Sequence, residues 1–277
     1  MKNLRHSLLG LFALVSLPAI GHAASTDWHE LGGGKARMIA HKDAESGKIS
    51  GLINVKLDKG WKTYWRSPGA SGIPPEFNFS SSKNIRVSKI QFPVPQWITL
   101  PDAKFYGYQN KVSFVFEAEA DAYDTQLNLD LLIGVCEEIC IPAMANFELS
   151  AGELNSSDPR ATMDIALARS FLPIGADDSL RLDQFQIEDQ KIKGALAMQS
   201  DHGVFDIVVE LPGEWVSDPL HTVKNSEGRF QFEASLPSSI AQKELADRQW
   251  FYSIIQRDED TSEVIKAVTG TFPKEPS

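Results

Sequence analysis

The sequence predicts an all-β fold: two β-sandwich units behind a cleaved leader. Three observations carry this. Short runs of alternating polarity are broken by turn residues about every eight to twelve positions, the spacing of sandwich strands. Only one stretch, from Pro159 up to Pro173, has the apolar spacing of a helix. A polar Ser/Asn/Asp-rich break at 151–159 divides the strand-rich chain into units 24–152 and 153–277, both of ordinary domain size.

Residues 1–23 read as an export signal. Lys2 and Arg5 form a positive n-region, 8–20 an apolar core, and Gly21-His22-Ala23 a small-x-small cleavage site. The apolar stretch is too short to span a bilayer, no later run approaches the roughly 20 residues required, and no cysteine follows it to carry a lipid. A periplasmic or secreted protein that does not span the membrane is expected, cleaved after Ala23. Without the leader, 25 basic residues face 37 acidic ones, a net charge of −12 with no dense Lys/Arg cluster. That charge argues against nucleic acid or an anionic membrane as partner.

After an exposed lead-in at 26–34, runs 36–41 and 48–57 read as antiparallel strands, with turns at Gly47 and Asp58-Lys59-Gly60. The segment Gly60-Trp61-Lys62-Thr63-Tyr64-Trp65-Arg66-Ser67-Pro68-Gly69 then leads into Ser71-Gly72-Ile73-Pro74-Pro75-Glu76-Phe77. This is one strand entering a rigid loop, and Pro74-Pro75 excludes a helix. Its aromatics have two readings: core residues, or Tyr64 and Trp65 shaping a surface beside the cysteines. A strand at 85–92 precedes a Pro-punctuated connection, 93–101, and then Phe105-Tyr106-Gly107-Tyr108. Residues 111–118 form a strand with Val112, Phe114 and Phe116 on one face; 124–135 form another, and 147–149 close the unit. Asp158-Pro159 is an N-cap with Pro at the first helical position. The helix uses Met163, Ile165, Ala166, Leu167 and Phe171 and stops before Pro173. Strands recur at 180–188, 191–199, 204–211, 229–236, 249–257 and 264–272. The turns between them are Gly203, Pro212-Gly213, 225–228 and 258–260.

Cys136 and Cys140 are the only cysteines, and an apolar, strand-like run leads into the first. If the segment stayed extended their Cα atoms would lie roughly 13 Å apart, whereas a disulfide needs about 4.4–6.8 Å. The chain must therefore turn between them before they can bond. A loop this short stabilises by only about 2 kcal/mol on the chain-entropy model, and a chain this size can bury its own core. Spacing alone leaves three readings open: a local staple, an exchanging dithiol/disulfide, and a metal site. In the last, Cys136 and Cys140 with Met144 offer soft ligands for Cu(I), as in a copper-binding or copper-tolerance protein. Glu137 and Glu138 sit between the cysteines, where negative charge disfavours a thiolate. Other chemistry finds little support. No G-x-S-x-G occurs, Ser80-Ser81-Ser82-Lys83 has no companion motif, the histidines of the mature chain are scattered, and Gly32-Gly33-Gly34 lacks the context of a phosphate loop. No cofactor is expected.

In order, the Gly60–Gly69 segment, Gly72-Ile73-Pro74-Pro75-Glu76-Phe77, Phe105-Tyr106-Gly107-Tyr108 and Val135-Cys136-x-x-x-Cys140-Ile141-Pro142-Ala143 resemble the N-terminal periplasmic domain of the DsbD/ScsB thiol:disulfide interchange family. The three-residue cysteine gap is similar to the ScsB-type branch. The resemblance covers roughly 28–149 and implies an immunoglobulin-like sandwich with a redox-active Cys136–Cys140 pair. It implies a thiol-disulfide oxidoreductase of the electron-relay type, exchanging with thioredoxin-like periplasmic proteins through mixed disulfides. It also implies an aromatic cap over the cysteines; Tyr64, Trp65, Phe105, Tyr106, Tyr108, Glu137, Glu138 and Pro142 are the residues expected to line the site. Family members usually continue into membrane and thioredoxin domains, which this sequence lacks, so a separate CcdA/DsbD-like membrane reductase is the expected electron source. A second β unit at 153–277 is similar to ScsB-type organisation. From a different class, a non-catalytic interaction module with a structural disulfide remains the contrasting expectation.

Overall fold

The computed structural model describes residues 24–272 apart from 71, 157, 201, 212–214, 239 and 241–247. The leader at 1–23 and the Pro212-Gly213 turn lie outside the described residues.

Strands β1 (His29–Glu30), β2 (Gly34–Lys42), β3 (Lys48–Leu57), β4 (Lys62–Tyr64), β5 (Glu76–Asn78), β6 (Ile85–Gln91), β7 (Gln96–Thr99), β8 (Lys104–Gln109), β9 (Lys111–Ala120), β10 (Gln126–Cys136) and β11 (Cys140–Ser150) build two sheets. One has the order β1-β2-β3-β9-β6, the other β11-β10-β4-β8-β7 with β5 also on β10. Strand alternation turns Met38, Ile53, Val55, Phe114 and Phe116 of the first sheet toward Leu129, Leu131 and Ile133 of the second, and all are buried in one core. Each such side chain contributes roughly 1.5–3 kcal/mol when fully buried.

Helix α1 (Ala151–Leu154) interrupts the polar break, started by a capping box in which Ser150 and Glu153 satisfy each other's backbone amides. Helix α2 (Pro159–Ser170) begins as its sequence directs: the Asp158 side chain accepts from the Arg160 amide, and Pro159 occupies the first turn. Its buried stripe differs from the one expected. Ala161, Ile165 and Ala168, spaced by four and three residues, pack on Ile39, Leu52 and Val115 on the outer face of the first sheet. Met163, Leu167 and Phe171 point to solvent.

Beyond α2 come β12 (Ile174–Gly175), β13 (Leu180–Glu188), β14 (Lys191–Met198), β15 (Val204–Leu211), β16 (Trp215–Val216), β17 (Leu220–His221), β18 (Val223–Lys224), β19 (Phe230–Ser235), β20 (Trp250–Arg257) and β21 (Val264–Phe272). They form sheets of order β12-β21-β20-β15-β16, with β17 on β15, and β13-β14-β19-β18. A second core lies between these sheets, around Phe205, Ile207, Val209, Trp250 and Ile254. Val208 of β15 and Ile255 of β20 point the other way and join the core cluster of the first half.

Three local expectations are corrected. The 93–101 connection contains β7, because Trp97 and Ile98 pair with Tyr106 and Phe105 of β8. The strand expected at 147–149 starts at Cys140, since Ala143, Ala145, Phe147 and Leu149 supply an unbroken inward-facing alternation. The lead-in at 26–34 is only partly exposed: it holds β1, and Leu31 is buried. Among the described residues no helix is long and apolar enough to cross a membrane.

Candidate functional site

Strands β10 and β11 form a hairpin in continuous antiparallel register from Gln126↔Ser150 to Cys136↔Cys140. The cysteines are the last pair of the ladder, and residues 137–139 make the reversal that their spacing demanded. Their Cα atoms are 4.1 Å apart and their sulfurs are bonded. On its other side β10 pairs with β4 through Val135↔Thr63 and Cys136↔Lys62. There the buried Thr63 hydroxyl donates to the Gly134 carbonyl at 2.8 Å. Cys136 is therefore held in the middle of a sheet, whereas Cys140 begins an edge strand.

Burial follows that difference. Cys136 is 1% exposed, whereas Cys140 is exposed. Ile139 at the hairpin turn and Pro142 and Met144 farther along β11 are exposed as well.

Tyr64 ties the site together. Its hydroxyl lies 2.8 Å from the Sγ of Cys136 and 2.8 Å from that of Cys140. Disulfide sulfurs carry no hydrogen, so the phenol is the donor. Burial raises the Tyr64 pKa above its ordinary 10, so the proton is in place at neutral pH. The ring leans on Phe105, centroids 4.8 Å apart, and Tyr64, Phe105, Ile98 and Cys136 form a small cluster against which Ile73 packs. Gly134 makes room for it: a Cβ there would lie 2.8 Å from the Tyr64 ring and 3.0 Å from Ile73.

Of the residues expected to line the site, the fold brings Tyr64 and Phe105 to the disulfide. Glu137 and Glu138 occupy the exposed hairpin tip, and Pro142 is exposed on β11, two residues after Cys140. Trp65, Tyr106 and Tyr108 are placed elsewhere, in the main core. Side chains alternate across a strand, so the neighbours of Tyr64 and Phe105 face inward. Trp65 meets Tyr106 edge-on at 5.5 Å, and the Tyr108 hydroxyl donates to the Pro93 carbonyl at 2.8 Å. The copper set does not assemble here: Met144 is four residues along an extended strand from Cys140, about 13 Å at strand rise. Among the described residues no group of three or more His, Cys, Asp or Glu side chains is placed to hold a metal ion.

Sequence reasoning overlooked Thr63, Ile73, Ile98 and Gly134. Gly134 carried a signal, an isolated glycine inside an apolar strand, which marks close approach of another group.

Residues 35–151 match the profile of the family described as "Thiol:disulfide interchange protein DsbD, N-terminal". The fold is similar to the crystal structure of the N-terminal periplasmic domain of ScsB from Proteus mirabilis, with a TM-score of 0.70 at 19% identity, over 90% of this chain and 98% of that one. A biofilm-associated protein BSP domain aligns at a TM-score of only 0.23, with 10% identity, over 92% of this chain and 52% of that one. No curated protein sequence matches the chain.

Proposed function

We propose that this protein relays reducing equivalents between thioredoxin-like partners through Cys136 and Cys140, in the periplasm, a reading supported by the match of residues 35–151 to the DsbD N-terminal family profile. The observation that carries this reading is the contrast between the two cysteines: Cys140 exposed, Cys136 buried, both sulfurs beside the same phenol.

The steps follow from that contrast. A donor thiolate attacks the accessible Cys140 Sγ; the Cys136–Cys140 bond breaks, a donor–Cys140 disulfide forms, and Cys136 leaves as a thiolate. The Tyr64 hydroxyl donates to the departing sulfur, a charge-assisted bond stronger than the one made to the neutral disulfide. The donor's second thiol then displaces Cys140, leaving an oxidised donor and a reduced pair. In the reverse half, the Cys140 thiolate attacks an acceptor disulfide and releases one acceptor thiolate. Cys136 next attacks Cys140 Sγ, which frees the second acceptor thiolate and restores the bond. Two electrons and two protons pass from donor to acceptor, and exchange requires only thiolate, leaving group and access.

Incubating the oxidised protein with a reduced thioredoxin and reading the redox state by thiol alkylation tests this. Reduction is expected for the native chain, and Cys136→Ser with the acceptor in disulfide form should accumulate a mixed disulfide through Cys140. A native pair that thioredoxin leaves oxidised would contradict the relay.

A further inference from the structure

Arg66 and Glu210, from opposite halves of the chain, form a two-point ion pair. Arg66 Nε donates to Oε2 at 3.1 Å and Nη2 to Oε1 at 2.5 Å. The Glu210 side chain is 1% exposed and that of Arg66 31%. A carboxylate this buried is costly unless neutralised, and the planar arginine fork matches both of its oxygens. The Arg66 guanidinium also lies 4.3 Å from the Trp65 ring centroid. Around the pair, Val208 and Ile255 of the second half join the cluster that holds Trp65. A Cβ on Gly69 would meet Val216 at 3.9 Å.

The position of this contact in the chain gives it consequence. Arg66 is two residues after Tyr64, whose hydroxyl donates to both sulfurs. From Arg66 the chain is tied to β8, the Tyr106 amide donating to the Pro68 carbonyl at 3.0 Å. It then comes back at Ile73, which packs on the cluster of Tyr64, Phe105 and Cys136. One end of this cover is thus fastened to the second half, and the other lies against the buried sulfur.

We infer that Glu210 and Arg66 are positioning residues: through them the second half holds Tyr64 and Ile73, at the two ends of this stretch, against Cys136 and limits how fast the disulfide exchanges. The inference rests on the reading of Cys136–Cys140 as an exchanging pair, but its test needs no protein partner.

The test is the rate at which dithiothreitol reduces the oxidised full chain. One dithiothreitol thiolate attacks a cysteine sulfur, giving a mixed disulfide and a cysteine thiolate. Its second thiol closes the ring, leaving oxidised dithiothreitol and the protein dithiol. Glu210→Gln keeps the shape but removes the charge, and is expected to be reduced about tenfold faster, the scale of one lost charge-assisted hydrogen bond. Ile73→Ala, which thins the cover directly, should also react faster. The double variant should be no faster than Ile73→Ala alone, because both changes act through the same segment. Should Glu210→Gln not fold, Arg66→Lys, which retains charge without the fork, replaces it with the same expectation. A lowered melting temperature with an unchanged rate would overturn the inference and leave the pair a plain structural contact. Rates that multiply in the double variant would overturn it as well.

Discussion

Cys136 and Cys140 are direct cross-strand partners at the end of the β10–β11 ladder, yet the first is 1% exposed and the second open to solvent. The difference comes from sheet position. Cys136 has β4 on its far side and Tyr64 above it, whereas Cys140 begins the edge strand of the sheet.

That asymmetry predicts unequal thiols in the reduced protein. Cys140 should be alkylated by iodoacetamide at least about tenfold faster than Cys136, as access and thiolate fraction govern the rate. Mass spectrometry of peptides after brief labelling reads the ratio, and equal labelling would contradict the assigned entry sulfur.

Tyr64→Phe removes a hydroxyl that donates to both sulfurs. A hydrogen bond to a charged group is worth about 1.5–3 kcal/mol, and one pKa unit corresponds to 1.36 kcal/mol. The leaving thiol should therefore rise by about one pKa unit. The reduced form loses that support, so the potential should become more negative by about 30 mV. Thiolate absorbance against pH and equilibration in glutathione buffers measure the two effects.

Gly134→Ala places a Cβ 2.8 Å from the Tyr64 ring. Overpacking of this kind costs about 1–3 kcal/mol, and the displaced phenol should weaken exchange along with stability. Gly175→Ala, where nothing lies within 4 Å, is the control and should be close to neutral in chemical denaturation.

Burial raises the pKa of Tyr64, Tyr106, Tyr108 and Tyr252 above the ordinary 10. An acid whose folded pKa is raised contributes stability that is complete below its unfolded pKa and is lost as pH climbs through the folded one. Stability should thus fall steeply above about pH 10, and phenolate absorbance should appear together with unfolding. Phenolate from these four tyrosines near pH 10 in a still-folded protein would count against their burial.

Much of the fold was readable from alternation. Lys48–Leu57, Leu180–Glu188, Val204–Leu211 and Val264–Phe272 have the bounds that their apolar patterns and turn residues imply, and Asp158-Pro159 marks the start of α2. The helix stripe differs from its apolar pattern because Ala161 and Ala168, small and weakly apolar, do the packing that this pattern assigns to Met163 and Leu167. At the site, Cys136, Cys140 and Tyr64 were visible as residue types. Which of the adjacent aromatics faced the sulfurs was not, because a one-residue shift of phase exchanges the two faces of a strand. Tyr64 and Trp65 could not be separated until the pairing of β4 with β8 and β10 fixed that phase. The Arg66–Glu210 contact spans 144 residues and leaves no local trace in sequence.

The reduction potential of the Cys136–Cys140 pair in the full chain tests the central claim most directly. Thioredoxin, glutaredoxins and protein disulfide isomerase lie between about −180 and −270 mV, and structural disulfides below about −300 mV. A value inside the first range is the predicted result. A value below about −300 mV would make the bridge a staple and contradict the relay.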